Sequence, residues 1–289
     1  MKVAFVGLGA MGQPMARWLL SQDFNVAVAD ANADFAASFG TNWAATAEEA
    51  SAGADILITM LPNGKIVRDV LLGSGNAANA LAPDAVVVDM SSSDAAGTVL
   101  LGAELSAMGI RLVDAPVSGG VVLASQGKLA LMVGGSDDSA FAKVEPVLEA
   151  LSGKLLRVGK LGAGHAAKAI NNAVAACNFA IMSEGLELGR RFGLDGSVLL
   201  EVVNGSTGRS GVSEGLFPSQ VLGEKYALGF ALALMTKDVG LADALRSDLG
   251  LELPMLEQTL ARYRAALDAL GNGADFTEFH KFVQQSSGD

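Results

Sequence analysis

Residues 1–24 read MKVAFVGLGAMGQPMARWLLSQDF. Val3 to Val6 are apolar and β-prone, as in a short buried strand. Gly7-Leu8-Gly9-Ala10-Met11-Gly12 follows as a G-x-G-x-x-G turn. A helical pattern then begins, with Met11, Met15, Leu19 and Leu20 on one face. Gly7 permits the tight turn, Gly9 lets a pyrophosphate approach the backbone, and Gly12 lets the helix pack on the strand. The helix N-terminus offers N–H groups and a partial positive charge to phosphates. A second strand, Asn25 to Ala29, ends at Asp30. That is where a carboxylate can take the ribose hydroxyls. An isolated glycine turn with a surface Asp is the weaker reading, because the whole strand–turn–helix–strand context is present.

The chain has 289 residues, a length that suggests two domains. Hydrophobic residues make up 51%, enough for sizeable cores, and the formal net charge is −11. That charge argues against non-specific nucleic-acid binding and against anionic membranes. Cys177 is the one cysteine, which excludes an intrachain disulfide and a Cys-rich metal site. No His/Asp/Glu grouping has metal-ligand spacing, so no metal is expected. The N-terminal apolar stretch reads as a strand rather than a signal peptide, and no run of 18 apolar residues is uninterrupted. A cytoplasmic protein is the expectation.

Beyond Asp30 the alternation continues. Helical pieces are expected at 34–39, 47–52, 65–72, 95–108 and 137–151. Strands are expected at 43–46, 55–60, 85–89, 111–115, 129–133 and 154–158. Leu61-Pro62-Asn63-Gly64 and Ser91-Ser92-Ser93-Asp94 lie at strand C-termini, the edge where doubly wound sheets bind ligands. From about residue 162 the texture changes. A helical pattern over 166–191 opens a stretch without convincing strands, with further helices at 197–203, 213–217, 232–249 and 254–269. The fold class is therefore α/β: a doubly wound, Rossmann-type domain over 1–161, then an all-helical substrate and oligomerisation domain over 162–289.

Four stretches carry the candidate chemistry: Asp114 to Gly120 (DAPVSGG), Gly162 to Asn172 (GAGHAAKAINN), Gly205 to Arg209 (GSTGR) and Lys237 to Ala242 (KDVGLA). Ser118, Gly119 and Gly120 offer backbone N–H groups and a hydroxyl, a nest that suits a carboxylate. Lys168 and Asn172 are four apart and share a helix face. Ala166, Ala167, Ala169, Ile170 and Ala173 make the lysine's surroundings small and apolar. Burial beside a second cation, with Lys237 as candidate, would tune such a lysine into an acid or base.

These spaced motifs, together with GLGAMGQPMA over 7–16, resemble the β-hydroxyacid dehydrogenase family over nearly the whole length. The resemblance implies that Lys168 is the catalytic acid/base, that Asn172 binds substrate, and that Ser118 to Gly120 hold its carboxylate. It also implies that Lys237 lies near substrate and cofactor, and that Leu61, Pro62, Ser91 and Ser92 contact the cofactor. The sequence departs from the family at Ser91 to Asp94, where a threonine and a nearby proline are usual, and at Gly205 to Arg209. Arg209 and the loop 121–127 are candidates for reading the far end of the substrate.

The expected activity is hydride transfer between NAD and a small anionic 3-hydroxy acid or its semialdehyde. Asp30, with no Arg or Lys between Asn25 and Phe39, favours NAD over NADP. Imine or ketimine reduction and decarboxylating oxidation are alternatives on the same fold, and a non-catalytic nucleotide-binding protein ranks last. A homodimer or homotetramer is expected because 217–234 is rich in Leu, Phe and Ala with few charges. His165 is read as a cofactor contact or a cap for the long helix, His280 as structural or solvated, and Cys177 as a buried thiol.

Overall fold

The computed structural model describes residues 1–135 and 137–286, in two compact units, Met1–Lys168 and Ala169 onward. In the first unit, β1 (Lys2–Val6), α1 (Gly12–Ser21) and β2 (Asn25–Ala29) form the opening βαβ. Two short helices follow, α2 (Ala36–Phe39) and α3 (Ala47–Ser51). Next come β3 (Ile56–Thr59), α4 (Gly64–Leu72), β4 (Val86–Asp89), α5 (Ala95–Ser106) and β5 (Arg111–Asp114). The unit continues through β6 (Val117–Ser118), α6 (Gly120–Ala124), β7 (Leu129–Gly134), α7 (Asp138–Leu151) and β8 (Ser152–Gly159).

The sheet order is β2-β1-β3-β4-β5-β7-β6, with β8 also pairing β7. The first five strands in that order are parallel, with Val3 opposite both Val26 and Ile56. β7 runs antiparallel to β5 and β6, and β8 parallel to β7. Side chains alternate across the sheet. Val3, Phe5, Ile56, Ile58, Val86 and Val88 join Met15, Leu19, Val144 and Leu148 in one core. Ala4, Val6, Leu57 and Val87 join Val67, Leu71, Leu101 and Leu105 in the other. Helices cover both faces, so the central strands are apolar on both sides, and their runs are legible in the sequence for that reason.

α8 (Ala163–Phe192) is a single helix of 30 residues that spans the division between the units. The second unit continues with α9 (Gly196–Asn204), α10 (Gly211–Leu216), a π-helical turn (Phe217–Val221), α11 (Leu232–Asp248), α12 (Pro254–Leu270) and α13 (Phe279–Ser286). Its core is aromatic. The Phe179 ring lies 4.7 Å from both Phe217 and Phe276, and Tyr263 stacks on Phe279 at 4.4 Å. The Tyr263 hydroxyl donates to the Ala176 carbonyl at 3.1 Å, so this buried phenol is not left unpaired.

Several expectations change. Residues 43–46 form no strand; Trp43 makes one isolated bridge to Val28. The stretch 117–127, read as turn and loop, contains β6 and α6. α13 was not anticipated. The segment 217–234 is mixed: Phe217, Val221 and Leu232 are core residues, while Leu222, Leu228 and Leu234 are exposed. A longer exposed apolar row lies on α8, at Ile170, Val174, Ile181, Leu188 and Phe192, with Val198 and Val202 exposed on α9. Cys177 is half-buried rather than fully buried.

Candidate active site

The glycine turn is built as its spacing predicts. Gly7 has φ +102°, and a Cβ there would collide with the Met60 carbonyl oxygen. A Cβ on Gly12 would collide with the carbonyl of Gly7, whereas a Cβ on Gly9 meets no atom within 4 Å. Two of the glycines are thus required by the fold, and the middle one leaves its backbone open to approach. The first turn of α1 has no side-chain cap and no acidic residue, unlike α4, capped by Asn63, or α5, capped by Asp94. An uncapped helix start beside a bare glycine suits a pyrophosphate. Asp30 accepts the Leu8 N–H at 2.6 Å and the Asn32 N–H at 2.8 Å. The carboxylate therefore shapes the turn, and each oxygen retains a lone pair for a ribose hydroxyl. Leu8 is buried, while Ala10 is exposed and Met11 half-buried.

At the neighbouring strand ends, Asp89 is a buried organiser. It accepts from Thr59 Oγ1 at 2.9 Å, from the Ser91 N–H at 3.0 Å and from Ser93 Oγ at 2.9 Å. Ser91 is buried, and its hydroxyl oxygen accepts the Leu61 N–H at 2.9 Å. Ser91 thus stitches the Leu61-Pro62 turn to the serine turn. Ser92, half-buried, is the serine of this turn better placed to meet a ligand.

Ser118 ends β6, and Gly119 and Gly120 have φ of +137° and +69°. Those left-handed angles explain the glycine pair. Four residues earlier, Asp114 is wholly buried and does not face solvent. Its Oδ1 accepts the Gly162 N–H and its Oδ2 the His165 N–H, both at 2.8 Å. It caps the first turn of α8 from a position 51 residues away in sequence. The His165 ring is buried as well, with Nδ1 2.8 Å from Thr98 Oγ1. The Thr98 hydroxyl also lies 2.9 Å from the Asp94 carbonyl oxygen. Nε2 lies 3.7 Å from Asp89 Oδ2. His165 thus braces the helix start against α5. Lys168, half-buried, stands one turn further along. Ile170 is exposed and takes no part in its apolar surroundings.

In the second unit, Asn172 is buried and donates Nδ2 to Asp238 Oδ2 at 2.7 Å. Lys237 Nζ lies 3.2 Å from Asp238 Oδ1. Asp238 is itself buried, so it joins the two residues and balances the ammonium charge locally. Arg209 makes an exposed ion pair with Glu214 at 3.2 Å. Among the described residues no group of three or more His, Cys, Asp or Glu is arranged for a metal. No described helix is long and apolar enough to cross a membrane. Asp89, Asp114, Thr98 and Asp238 were not singled out from sequence. Each works through bonds to residues 30 to 67 positions away, and only the motif positions of Asp114 and Asp238 hinted at a role.

The uncapped glycine turn and the acidic end to β2 are those of a dinucleotide-binding domain. Residues 2–159 match the NAD binding domain of 6-phosphogluconate dehydrogenase, and residues 162–283 the NAD-binding domain of NADP-dependent 3-hydroxyisobutyrate dehydrogenase. The chain is 38% identical to 2-(hydroxymethyl)glutarate dehydrogenase of Eubacterium barkeri, over 88% of this chain and 85% of that one. It is 36% identical to the mitochondrial 3-hydroxyisobutyrate dehydrogenase of Drosophila melanogaster, over 98% and 89%. The solved structure of Mycobacterium tuberculosis 3-hydroxyisobutyrate dehydrogenase with L-serine superposes with a TM-score of 0.90 at 33% identity, covering 98% of each chain. The chain belongs to the β-hydroxyacid dehydrogenase family and is an NAD-binding oxidoreductase.

Proposed function

We propose that this enzyme oxidises a small anionic 3-hydroxy acid to its semialdehyde, or runs the reverse reduction, with Lys168 as general acid/base. The observation that carries the reading is the local geometry of α8. Lys168 stands one turn beyond a helix start fixed by Asp114, and Asn172, one turn further, is buried and oriented by Asp238. NAD, when bound over Gly7 to Gly12, Asp30, Leu61, Pro62 and Ser92, supplies the hydride acceptor. Ser118, Gly119 and Gly120 take the substrate carboxylate. Lys168 Nζ takes the hydroxyl proton as the C–H hydrogen leaves as hydride, so the carbonyl forms without a charged intermediate; in reduction Lys168 returns that proton. Asn172 holds the reacting hydroxyl, and Lys237 adds a cation to the substrate side. Residues 1–161 serve the nucleotide, and 162–289 substrate recognition and assembly.

Two of these relatives are named for 2-(hydroxymethyl)glutarate and 3-hydroxyisobutyrate, which supports a small hydroxy-acid substrate. Arg209 is the candidate for a second anionic group, provided it exchanges Glu214 for substrate. The exposed apolar turn at Val121, Val122 and Leu123 is the candidate for an apolar end. The apolar row on α8 and α9 supports a homodimer or homotetramer, since such a face is rarely left in water. A cytoplasmic location fits a chain with a single cysteine.

The test is a panel of small hydroxy acids assayed for NAD reduction: hydroxyisobutyrate, glycerate, serine, threonate, hydroxybutyrate and sulfonate analogues. On the best substrate, Lys168→Ala should lower kcat about 100-fold or more with NAD affinity little changed. Lys168→Arg should not rescue it, because a guanidinium does not release its proton at working pH. Near-normal turnover in either variant would leave Lys168 as a charge partner only.

A further inference from the structure

The buried carboxylate of Asp114 is one residue from the segment that leads to Ser118-Gly119-Gly120, yet its bonds go to the other end of the unit. It accepts the N–H groups of Gly162 and His165, the residues that start α8. Its space is closed by two glycines, one on β7 and one on α8 itself. A Cβ on Gly134 of β7 would collide with Asp114 Oδ1, and a Cβ on Gly164 would come within 2.8 Å of Oδ2 and collide with the Met132 carbonyl. The β5–β7 register places Gly134 directly opposite Asp114. Sheet pairing, glycine packing and helix capping therefore converge on one side chain. A second brace, from the His165 ring to Thr98 at 2.8 Å, holds the same turn from α5.

We propose that Asp114 is a positioning residue for Lys168. It sets the axis and rotation of the first turn of α8, and so the place of the lysine one turn on, relative to the Ser118-Gly120 turn that ends the next strand, β6. The inference rests on the acid/base reading of Lys168 and adds a residue that touches neither substrate nor cofactor. The physical reason is rigidity. A reacting group misplaced by about 1 Å loses on the order of 100-fold in rate, and a helix start held by one buried carboxylate moves as a body when that hold is lost. Asn at this position supplies one acceptor oxygen, while its amide nitrogen would oppose the second N–H. Glu would need space that Gly134 and Gly164 do not leave.

The experiment compares wild type, Asp114→Asn, Asp114→Glu, Thr98→Val and Lys168→Ala as full-length enzymes. Hydrogen exchange reads the Gly162 and His165 amides without reference to activity. The expected result is faster exchange at both amides in Asp114→Asn, with kcat lowered about 10- to 100-fold, KM changed less than about threefold and NAD affinity within about twofold. Asp114→Glu should not restore kcat. Thr98→Val should move kcat in the same direction by a smaller factor, and it keeps the proposal testable if the Asp114 variants fold poorly. Asp114→Asn or Thr98→Val with faster exchange at these amides but kcat within twofold of wild type, while Lys168→Ala has lost turnover, would overturn the positioning role and leave Asp114 as a stability residue alone. If Lys168→Ala itself kept turnover, the acid/base reading would fail first, and the exchange data would still report whether Asp114 holds the helix start.

Discussion

Asn172 and Asp238, 66 residues apart, face each other at 2.7 Å with both side chains buried, amide nitrogen to carboxylate oxygen. The contact fixes which way the carboxamide points, since its nitrogen is committed to Asp238 and its oxygen accepts from Asn171 Nδ2 at 3.2 Å. The same carboxylate lies 3.2 Å from Lys237. Asp238→Ala should therefore release two site residues at once, and kcat/KM should fall on the order of 100-fold. Asp238→Asn keeps an acceptor but loses the charge facing Lys237, and the fall should be nearer tenfold. Steady-state kinetics on the best substrate, with NAD titration as control, checks both.

Gly9 and Gly12 should separate ligand binding from folding. A Cβ at position 9 has open space, so Gly9→Ala should leave Tm within about 2 °C while weakening NAD binding about tenfold or more. A Cβ at position 12 collides with the Gly7 carbonyl, so Gly12→Ala should destabilise the fold by about 1–3 kcal/mol. Thermal melts beside NAD titrations give the comparison. Equal loss of stability in the two variants would contradict it.

Cofactor choice should turn on Asp30. Its charge repels a 2′-phosphate, and no Arg or Lys lies between Asn25 and Phe39 to offset it. The wild-type enzyme should prefer NAD in kcat/KM. Asp30→Asn keeps an acceptor for the Leu8 N–H and should narrow that preference about tenfold. A wild-type preference for NADP would show that basic residues reach the ribose from elsewhere in the fold.

Acid should weaken the helical unit in two stages. Burial pushes the His280 imidazole below its ordinary value of 6.5, so the folded unit favours the neutral ring. That contribution is complete above pH 6.5 and declines as acid protonates the unfolded chain first. Glu187 accepts hydrogen bonds from Arg190 and Arg191, which lower its pKa from 4.5 to about 2. Its contribution is complete above pH 4.5 and is lost as pH falls toward 2. Glu187→Gln should cost about 1–2 kcal/mol at neutral pH and flatten the lower limb, the arginines being largely solvated. His280→Gln should flatten the upper one. Urea unfolding at stepped pH resolves the two.

The nucleotide half was readable because its signals are local. Val3 to Val6, Ile56 to Thr59 and Val86 to Asp89 are short apolar runs, and the glycine spacing falls between a strand and a helix. The long helix was readable from its periodicity, though it extends three residues earlier than expected, to Ala163. What stayed hidden depends on distance in sequence. Nothing near Asp114 says that it caps a helix starting 49 residues later, and nothing near Asp238 points to Asn172. Residues 217–234 divide between core and surface, because leucine and phenylalanine fill a core as readily as they cover an interface. The ring of Phe217 packs on Phe179 in the core, while Leu222, Leu228 and Leu234 are exposed.

The apolar row on α8 has a practical corollary. Cys177, the chain's one cysteine, falls between Val174 and Ile181 at the spacing of that row, and its thiol is half-buried. The protein thus carries its own single labelling handle on the face in question. A maleimide dye should react readily in dilute enzyme and progressively more slowly as concentration rises and copies associate, so the assembly can be titrated on the unmutated chain.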